Sequence, residues 1–287
     1  MGVLQYVGSA AGNGADSQPG GDRMRHPLTY GSYLRIDELL SLQTPQSTGS
    51  QGPEHDELLF IVIHQVYELW FKQLLHEMDY CCRRLREGDT ARSSHTMRRV
   101  LTILKTVVAQ VDVLETMTPL EFNAFRGYLE SSSGFQSAQF RAIEFLLGYK
   151  RPNMIKHYAN DPAAQAALQA RLEQPTLWDA FLQYLLQRGY EVPAEVLEHD
   201  VQAPLAPNEA LQGLLVQIYR NDPVVSRICE RLVDMDEGFQ EWRYRHIKMV
   251  ERTIGTKMGT GGSPGAAYLA TTLKPFFPDL WAIRAHL

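Results

Sequence analysis

Apolar residues recur three and four positions apart along most of the chain, the spacing of helices with a buried face. The pattern is densest from about Glu57 to Arg84, where Leu58, Leu59, Phe60, Ile61, Val62, Ile63, Val66 and Tyr67 cover nearly the whole circumference of the first half. A helix apolar all round is buried on several sides, inside a domain or against other subunits. A second helix is predicted over about Thr90 to Glu115, with Val100, Leu104, Val107, Val111 and Leu114 on one stripe. Thr118-Pro119-Leu120-Glu121 reads as a capping box with proline at the first helical position, opening a short helix through Leu129. After the polar break Ser131–Gly134, helix resumes from Gln136 to Leu147, with Gly148 as its C-cap. Residues 150–221 break into shorter helices at Pro162, Pro175, Gly189, Pro193 and Pro207, a variable helical insertion that carries no legible chemistry. Asp222-Pro223 opens a long helix that runs to Ile254 and ends at Gly255. Residues 255–265 hold five glycines in eleven positions and form no regular element. Helix resumes over 266–287, ending in a Pro-Phe-Phe-Pro turn.

No alternating run and no Asn-Gly hairpin competes with this pattern, so the expected fold is all-α. Residues 1–27 lack any apolar run and read as a disordered leader; residues 28–287 read as one domain. Composition narrows the function. With 44% hydrophobic residues a sizeable core is available. A formal charge of -5 gives no basic footprint for nucleic acid or for an anionic membrane surface. Three cysteines, Cys81, Cys82 and Cys229, make neither a disulfide framework nor a CxxC or CxxCH site. Reduced thiols suit a cytoplasmic protein. No uncharged apolar run reaches the ~18 residues of a membrane span.

Among nine histidines, two stand in unusual surroundings. His64 lies on the very apolar first helix, between Phe60 at i−4 and Tyr67 at i+3; on spacing alone it is a hydrogen-bonded core residue or a functional one. His246 lies on the long helix near Phe239, Trp242, Met249 and Val250, a surface suited to a flat apolar cofactor. A neutral imidazole is the usual axial ligand of haem iron, and the alternative is a core histidine on an amphipathic helix. Arg243, Arg245 and Lys248 either neutralise carboxylates of such a cofactor or form a solvated face. His64 and Glu68 lack the second histidine of an HExxH zinc site, and GTGGS at 259–263 lacks the lysine of a phosphate loop. Arg126, beside Phe122 and Phe125, is either a stem-packed surface residue or a carboxylate clamp.

Taken together the motifs resemble a known family. Residues 55–72 read HDELLFIVIHQVYELWFK, followed in order by LETMTP at 114–119 with FNAFR at 122–126, SGFQS at 133–137, WRYRH at 242–246 and GTGGS at 259–263, with LTYGSYL at 28–34 ahead of them. This series resembles the haem-dependent tryptophan 2,3-dioxygenases over residues 28–287, most weakly between 150 and 220. The resemblance implies an all-α homotetramer with one haem b per subunit, acting on L-tryptophan and dioxygen. It places His246 on the proximal iron ligand, with Trp242, Ser133 and Gly134 beside the haem. It places His64 on the distal histidine that meets the indole N–H, Phe60 and Phe122 on the substrate pocket, and Arg126 on the substrate carboxylate. Thr260 falls on a loop folding over the amino-acid end of the substrate, and Tyr30, Tyr33 and Leu34 on a neighbouring subunit's pocket. The implied reaction adds oxygen across the indole C2–C3 bond, opens the ring and gives N-formylkynurenine.

Three positions depart from the commonest family pattern: Phe122 where some members carry tyrosine, Ser131 where proline is usual, and Pro264 where serine is common. They keep two other outcomes open at this stage. One is a paralogue that inserts a single oxygen atom into tryptophan or a modified tryptophan, giving an oxindole-type product. The other is a haem sensor or carrier without turnover, although such a protein has no use for an amino-acid clamp.

Overall fold

The computed structural model describes residues 27–49, 52–259 and 265–287. All but the last residue of the leader, together with Thr260 and Pro264, lie outside the described residues. Two compact units divide the chain after Leu42. The first contains α1 (Tyr30–Leu34) and α2 (Ile36–Leu39), which meet at Arg35. On it Tyr30, Tyr33 and Leu34 are exposed, at 77%, 70% and 42%, a large apolar surface for so short a segment.

Three long helices frame the second unit, residues 43–287. They are α3 (His55–Arg86), α4 (Thr90–Leu114) and α11 (Pro223–Ile254). In α3, Asp56 and Glu57 stand in the first turn and Arg83, Arg84 and Arg86 in the last, each sign matched to the helix dipole. Gly88, at φ 72°, turns the chain, and Asp89 caps α4 by accepting from the Arg92 amide at 2.9 Å. This makes an antiparallel hairpin of α3 and α4. The expected stripe of α4 is buried, and α11 packs on it; Gly238 lies against Leu104, where a Cβ would come within 3.3 Å. As the sequence predicts, α11 starts at Pro223 behind an Asp222 cap and stops at Gly255, which has a φ of 60°.

Smaller helices close the frame: α5 (Pro119–Arg126), α6 (Ala138–Leu146), α7 (Pro162–Leu172), α8 (Leu177–Gln187), α9 (Ala194–Leu197) and α10 (Glu209–Asn221). Behind them come α12 (Ala266–Ala270) and α13 (Pro278–Ala282). The Thr118 capping box is present, with Glu121 accepting from the Thr118 amide at 2.6 Å. The Pro-Phe-Phe-Pro segment is not the end of the chain's structure, as the sequence reading has it; it leads into α13 and a final 3-10 turn. Asp236 of α11 holds it, because one buried carboxylate oxygen accepts from the amides of Phe276 and Phe277 and from the Trp281 indole. No strand occurs among the described residues, and the fold is all-α. By length and composition α3 reaches the threshold for a membrane-crossing helix, yet it packs against α4, α8, α6 and α5. All three cysteines are free and buried.

Candidate functional site

A cavity lies between α3 and α11, with about 1720 Å³ of empty space when the open solvent at its mouth is included. Phe60, His64, Tyr67, Glu68 and Phe71 line it from α3. From α11 the lining residues are Trp242, Arg243, His246, Met249, Val250, Thr253 and Ile254. The α3 set and, on α11, Trp242, His246, Met249, Val250 and Thr253 follow the same spacing of 0, 4, 7, 8 and 11, which is one helical stripe. Each wall therefore presents one histidine to a shared, largely aromatic space. Phe239, expected on the His246 face, instead turns into the core against Phe276.

The two imidazoles differ in chemistry. Nδ1 of His64 lies 2.7 Å from the Phe60 carbonyl. A carbonyl has no proton to give, so Nδ1 carries the hydrogen and Nε2 of the neutral ring is an acceptor. Burial pulls the His64 pKa below its ordinary value, against the Phe60 carbonyl and Glu68, and favours that neutral form. Phe60 packs on the ring at 4.1 Å between centroids and continues into Phe122 and Phe125. His246 makes no hydrogen bond among the described residues. Its ring lies parallel to Trp242, at 5.3 Å and 2°, and Trp242 is held in turn by Phe140 at 4.8 Å. One side of His246 is cavity wall, so it counts as half-buried, but protein surrounds the rest. Burial, reinforced by the nearby His64, pushes its pKa down to about 4. An unprotonated, unpartnered imidazole of fixed orientation is what a metal ion requires of histidine. No three His, Cys, Asp or Glu side chains cluster as a metal site among the described residues.

Arg126, at the end of α5, lines the cavity and donates to the Met258 carbonyl. Its guanidinium fork thus meets the first part of the glycine-rich segment, where a carboxylate would offer a stronger acceptor. Gly259 and Gly265 also line the cavity. Gly255 and Gly265 share one glycine-only conformation, φ 60° with ψ -128° and -130°. A Cβ on Gly265 would come within 3.2 Å of the Lys257 carbonyl, so the two ends of the segment lie together. Ser133 and Gly134 line the cavity from the turn before α6, and Phe122 does so from α5.

The charged part of the cavity lies only partly where the sequence reading sought it. Arg245 pairs with Asp112 and Glu115, and Lys248 with Glu251, all away from the site. Only Arg243 turns inward. There Glu144 binds Arg243 at 2.8 Å and Arg151 at 2.8 Å, and also Arg141. All four line the cavity. Arg243 also donates to the Thr272 carbonyl at 2.7 Å, and Arg151 to the Tyr268 hydroxyl at 3.0 Å. One carboxylate for three guanidiniums leaves the cluster with two net positive charges, and the Nε–H groups of Arg141, Arg151 and Arg243 are buried without partners. Sequence reasoning missed Arg141, Glu144 and Arg151. The available signal was the charged i,i+3 pair Arg141 and Glu144 inside α6, whose other residues apart from Gln139 are apolar.

The site so defined is an aromatic-lined cavity in an all-α frame, cationic at one edge. Known proteins sharpen this. The family model for tryptophan 2,3-dioxygenase matches residues 15–188 and 199–287. The gap falls inside the segment read as variable. A tryptophan 2,3-dioxygenase of Herpetosiphon aurantiacus is 66% identical over 264 residues, covering 92% of this chain and all of the relative. Relatives of the same name from Anaeromyxobacter sp. (strain K) and Kineococcus radiotolerans are 56% and 47% identical, over 91% of this chain and 96% and 91% of their own lengths. The chain belongs to the tryptophan 2,3-dioxygenase family.

Proposed function

We propose that this chain, acting through residues 28–287 as one functional unit, cleaves the indole C2–C3 bond of L-tryptophan with dioxygen to give N-formylkynurenine, using haem b held by His246. The observation that carries the reading is the pair of histidines facing one cavity, His246 without a hydrogen-bond partner among the described residues and His64 with Nε2 left as an acceptor. The residues present fit the cofactor. His246 offers a basic nitrogen, Trp242 and Phe140 a flat apolar wall, and the three orphaned Nε–H groups a place for two carboxylates. Bound haem supplies the activation of dioxygen.

The chain's own side chains orient the substrate. Nε2 of His64 accepts the indole N–H, and this selects against rings that lack the donor. Phe60 and Phe122 flank the ring. Arg126 exchanges the Met258 carbonyl for the substrate carboxylate, with Thr260 assigned to the same end of the amino acid. Ser133 and Gly134 bound the haem edge. Exchange of the carbonyl for an anion is favoured because a carboxylate can take two parallel hydrogen bonds from the guanidinium fork and carries the opposite charge, where the carbonyl takes one bond and carries none. Both oxygen atoms end in the product.

A homotetramer belongs to the same reading, with Tyr30, Tyr33 and Leu34 reaching a neighbour's cavity. Leu58, Val62 and Leu69 support it: they form a stripe on the outer face of α3 and are 47%, 37% and 52% exposed. Three buried free thiols suit a reducing cytoplasm. The deciding experiment reduces the protein anaerobically, adds tryptophan and then dioxygen, and weighs the product. Two added oxygen atoms support dioxygenation. One added atom overturns it in favour of monooxygenation, and an unchanged haem spectrum with no consumption overturns catalysis on tryptophan altogether.

A further inference from the structure

Glu144 is the one acid in a cluster that otherwise pools positive charge. Its side chain is 2% exposed, and those of Arg141, Arg243 and Arg151 are 6%, 4% and 16% exposed. Aromatic faces confine each guanidinium: Phe135 lies near Arg141, Tyr149 near Arg151 at 4.4 Å, and Phe276 near Arg243 at 4.7 Å. Both oxygens of Glu144 are used, Oε1 by Arg243 and Oε2 by Arg141 and Arg151. Glu144 therefore does two things at once. It directs three Nη groups inward to itself, leaving the three Nε–H groups unpartnered, and it trims the cluster from three positive charges to two. Arg141 and Arg151 come from α6 and the turn after it, Arg243 comes from α11 about a hundred residues on, and this carboxylate is their common partner. The other acid that lines the cavity, Glu68 of α3, is engaged by Gln139 rather than by an arginine.

We infer that Glu144 is a positioning residue that sets the electrostatic potential of the cofactor pocket, and through it the ease with which a haem held on His246 accepts an electron. This rests on the reading that the cavity holds haem. The sign follows from charge. Reduction of ferric to ferrous iron adds one electron to the cofactor. A more positive surrounding favours that addition, and Glu144 restrains it. In a buried setting a unit charge on the cavity wall acts through an effective dielectric of about 20, and changes such an equilibrium by on the order of tenfold.

The test is a potentiometric titration of the haem-loaded protein with redox mediators, read from the absorption spectrum. Glu144→Gln keeps the shape and removes the charge, so at a fixed poise its ferrous-to-ferric ratio rises about tenfold, or about 59 mV for a one-electron couple. Glu144→Asp keeps the charge and stays within about twofold of the parent by the same Coulomb argument. Arg151→Met, which lowers the cluster to a single net charge, shifts the ratio about tenfold the other way. Glu144→Gln combined with Arg151→Met restores two net charges and returns the ratio toward the parent. A purely structural role would weaken haem retention in every variant without ordering the potentials by charge. If Glu144→Gln does not fold, Arg151→Met decides alone. A haem-loaded variant whose ratio does not move with the charge overturns the proposal. Failure of the unmodified protein to take up haem overturns the reading beneath it instead.

Discussion

The two walls of the cavity share a spacing and differ in almost everything else. On α3, His64 commits Nδ1 to the carbonyl one turn back and keeps a single acceptor. On α11, His246 commits neither nitrogen, lies parallel to Trp242, and has its pKa pushed down to about 4 by burial and by its counterpart. The same five-residue stripe thus yields a directional hydrogen-bond acceptor on one wall and a bare Lewis base on the other. What separates them is the neighbour: a main-chain carbonyl for one, an indole face for the other. The lesson is that helical spacing assigns a histidine to a cavity, while its partners assign it a task.

The contrast predicts unequal losses. His246→Ala removes the Lewis base and is expected to abolish stable haem binding, read as loss of the Soret band in protein purified with ample haem. A haem-replete, active His246→Ala protein would break the comparison at once. Arg126→Ala comes next. In the proposed pose the substrate covers Arg126, and truncating one partner of a charge pair so buried costs about 2–5 kcal/mol, so tryptophan affinity, followed by perturbation of the haem spectrum, should fall accordingly while haem content holds. An unchanged affinity would return Arg126 to the role of a surface residue latched to Met258. His64→Ala is milder. It leaves a buried indole N–H unpaired, at a cost of about 1–3 kcal/mol, so turnover per unit substrate should fall on the order of 10–100-fold with haem retained. The sharper readout is a substrate analogue without the N–H. It should react poorly with the parent and lose nothing further in His64→Ala. If both substrates lose equally, His64 is not the acceptor.

These losses also mark what the sequence could disclose. The stripe of α3, the start of α11 at Pro223 and its stop at Gly255 were legible because local rules govern them: periodicity, an Asp-Pro cap, a glycine-only φ. His64 and His246 were legible because each sits on such a stripe, and the order of the motifs in the chain joined them. The arginine cluster was not, because Arg141, Arg151 and Arg243 come together only in three dimensions. Arg151 lies at the very start of the stretch read as a variable helical insertion, ahead of its first breaking proline. Arg245 and Lys248 are two and five residues beyond Arg243, and in α11 those steps carry them around to the acids of α4 and to Glu251. The tautomer of His64 was equally hidden, since it depends on one distance to a carbonyl.

The smallest predicted effects concern how each wall is anchored, and they extend the contrast to stability. At the start of α3, buried Glu57 accepts from the Gln46 amide at 2.7 Å, the Ser47 amide at 2.9 Å and the Ser47 hydroxyl. At the start of α11, Asp222 accepts from the amides of Val224 and Val225 and from the Tyr190 hydroxyl. Burial raises both carboxyl pKa values, but these hydrogen bonds outweigh it and hold both below the usual carboxylate range. A depressed acid contributes stability that is complete above its unfolded pKa and is lost as pH falls through its folded one. Both anchors therefore weaken only in acid, below the ordinary carboxylate range. Substitution separates them. Glu57→Gln turns one acceptor oxygen into a donor facing donors, and should cost about 1–3 kcal/mol at neutral pH. Asp222→Asn remains a good helix cap and should cost a few tenths, roughly the spread among capping residues. Urea unfolding at pH 7 and again in acid checks both, because the Glu57→Gln deficit should shrink as the parent's own carboxylate is protonated. A deficit that persists unchanged into acid would mean that packing around residue 57, rather than its charge, holds the first wall in place.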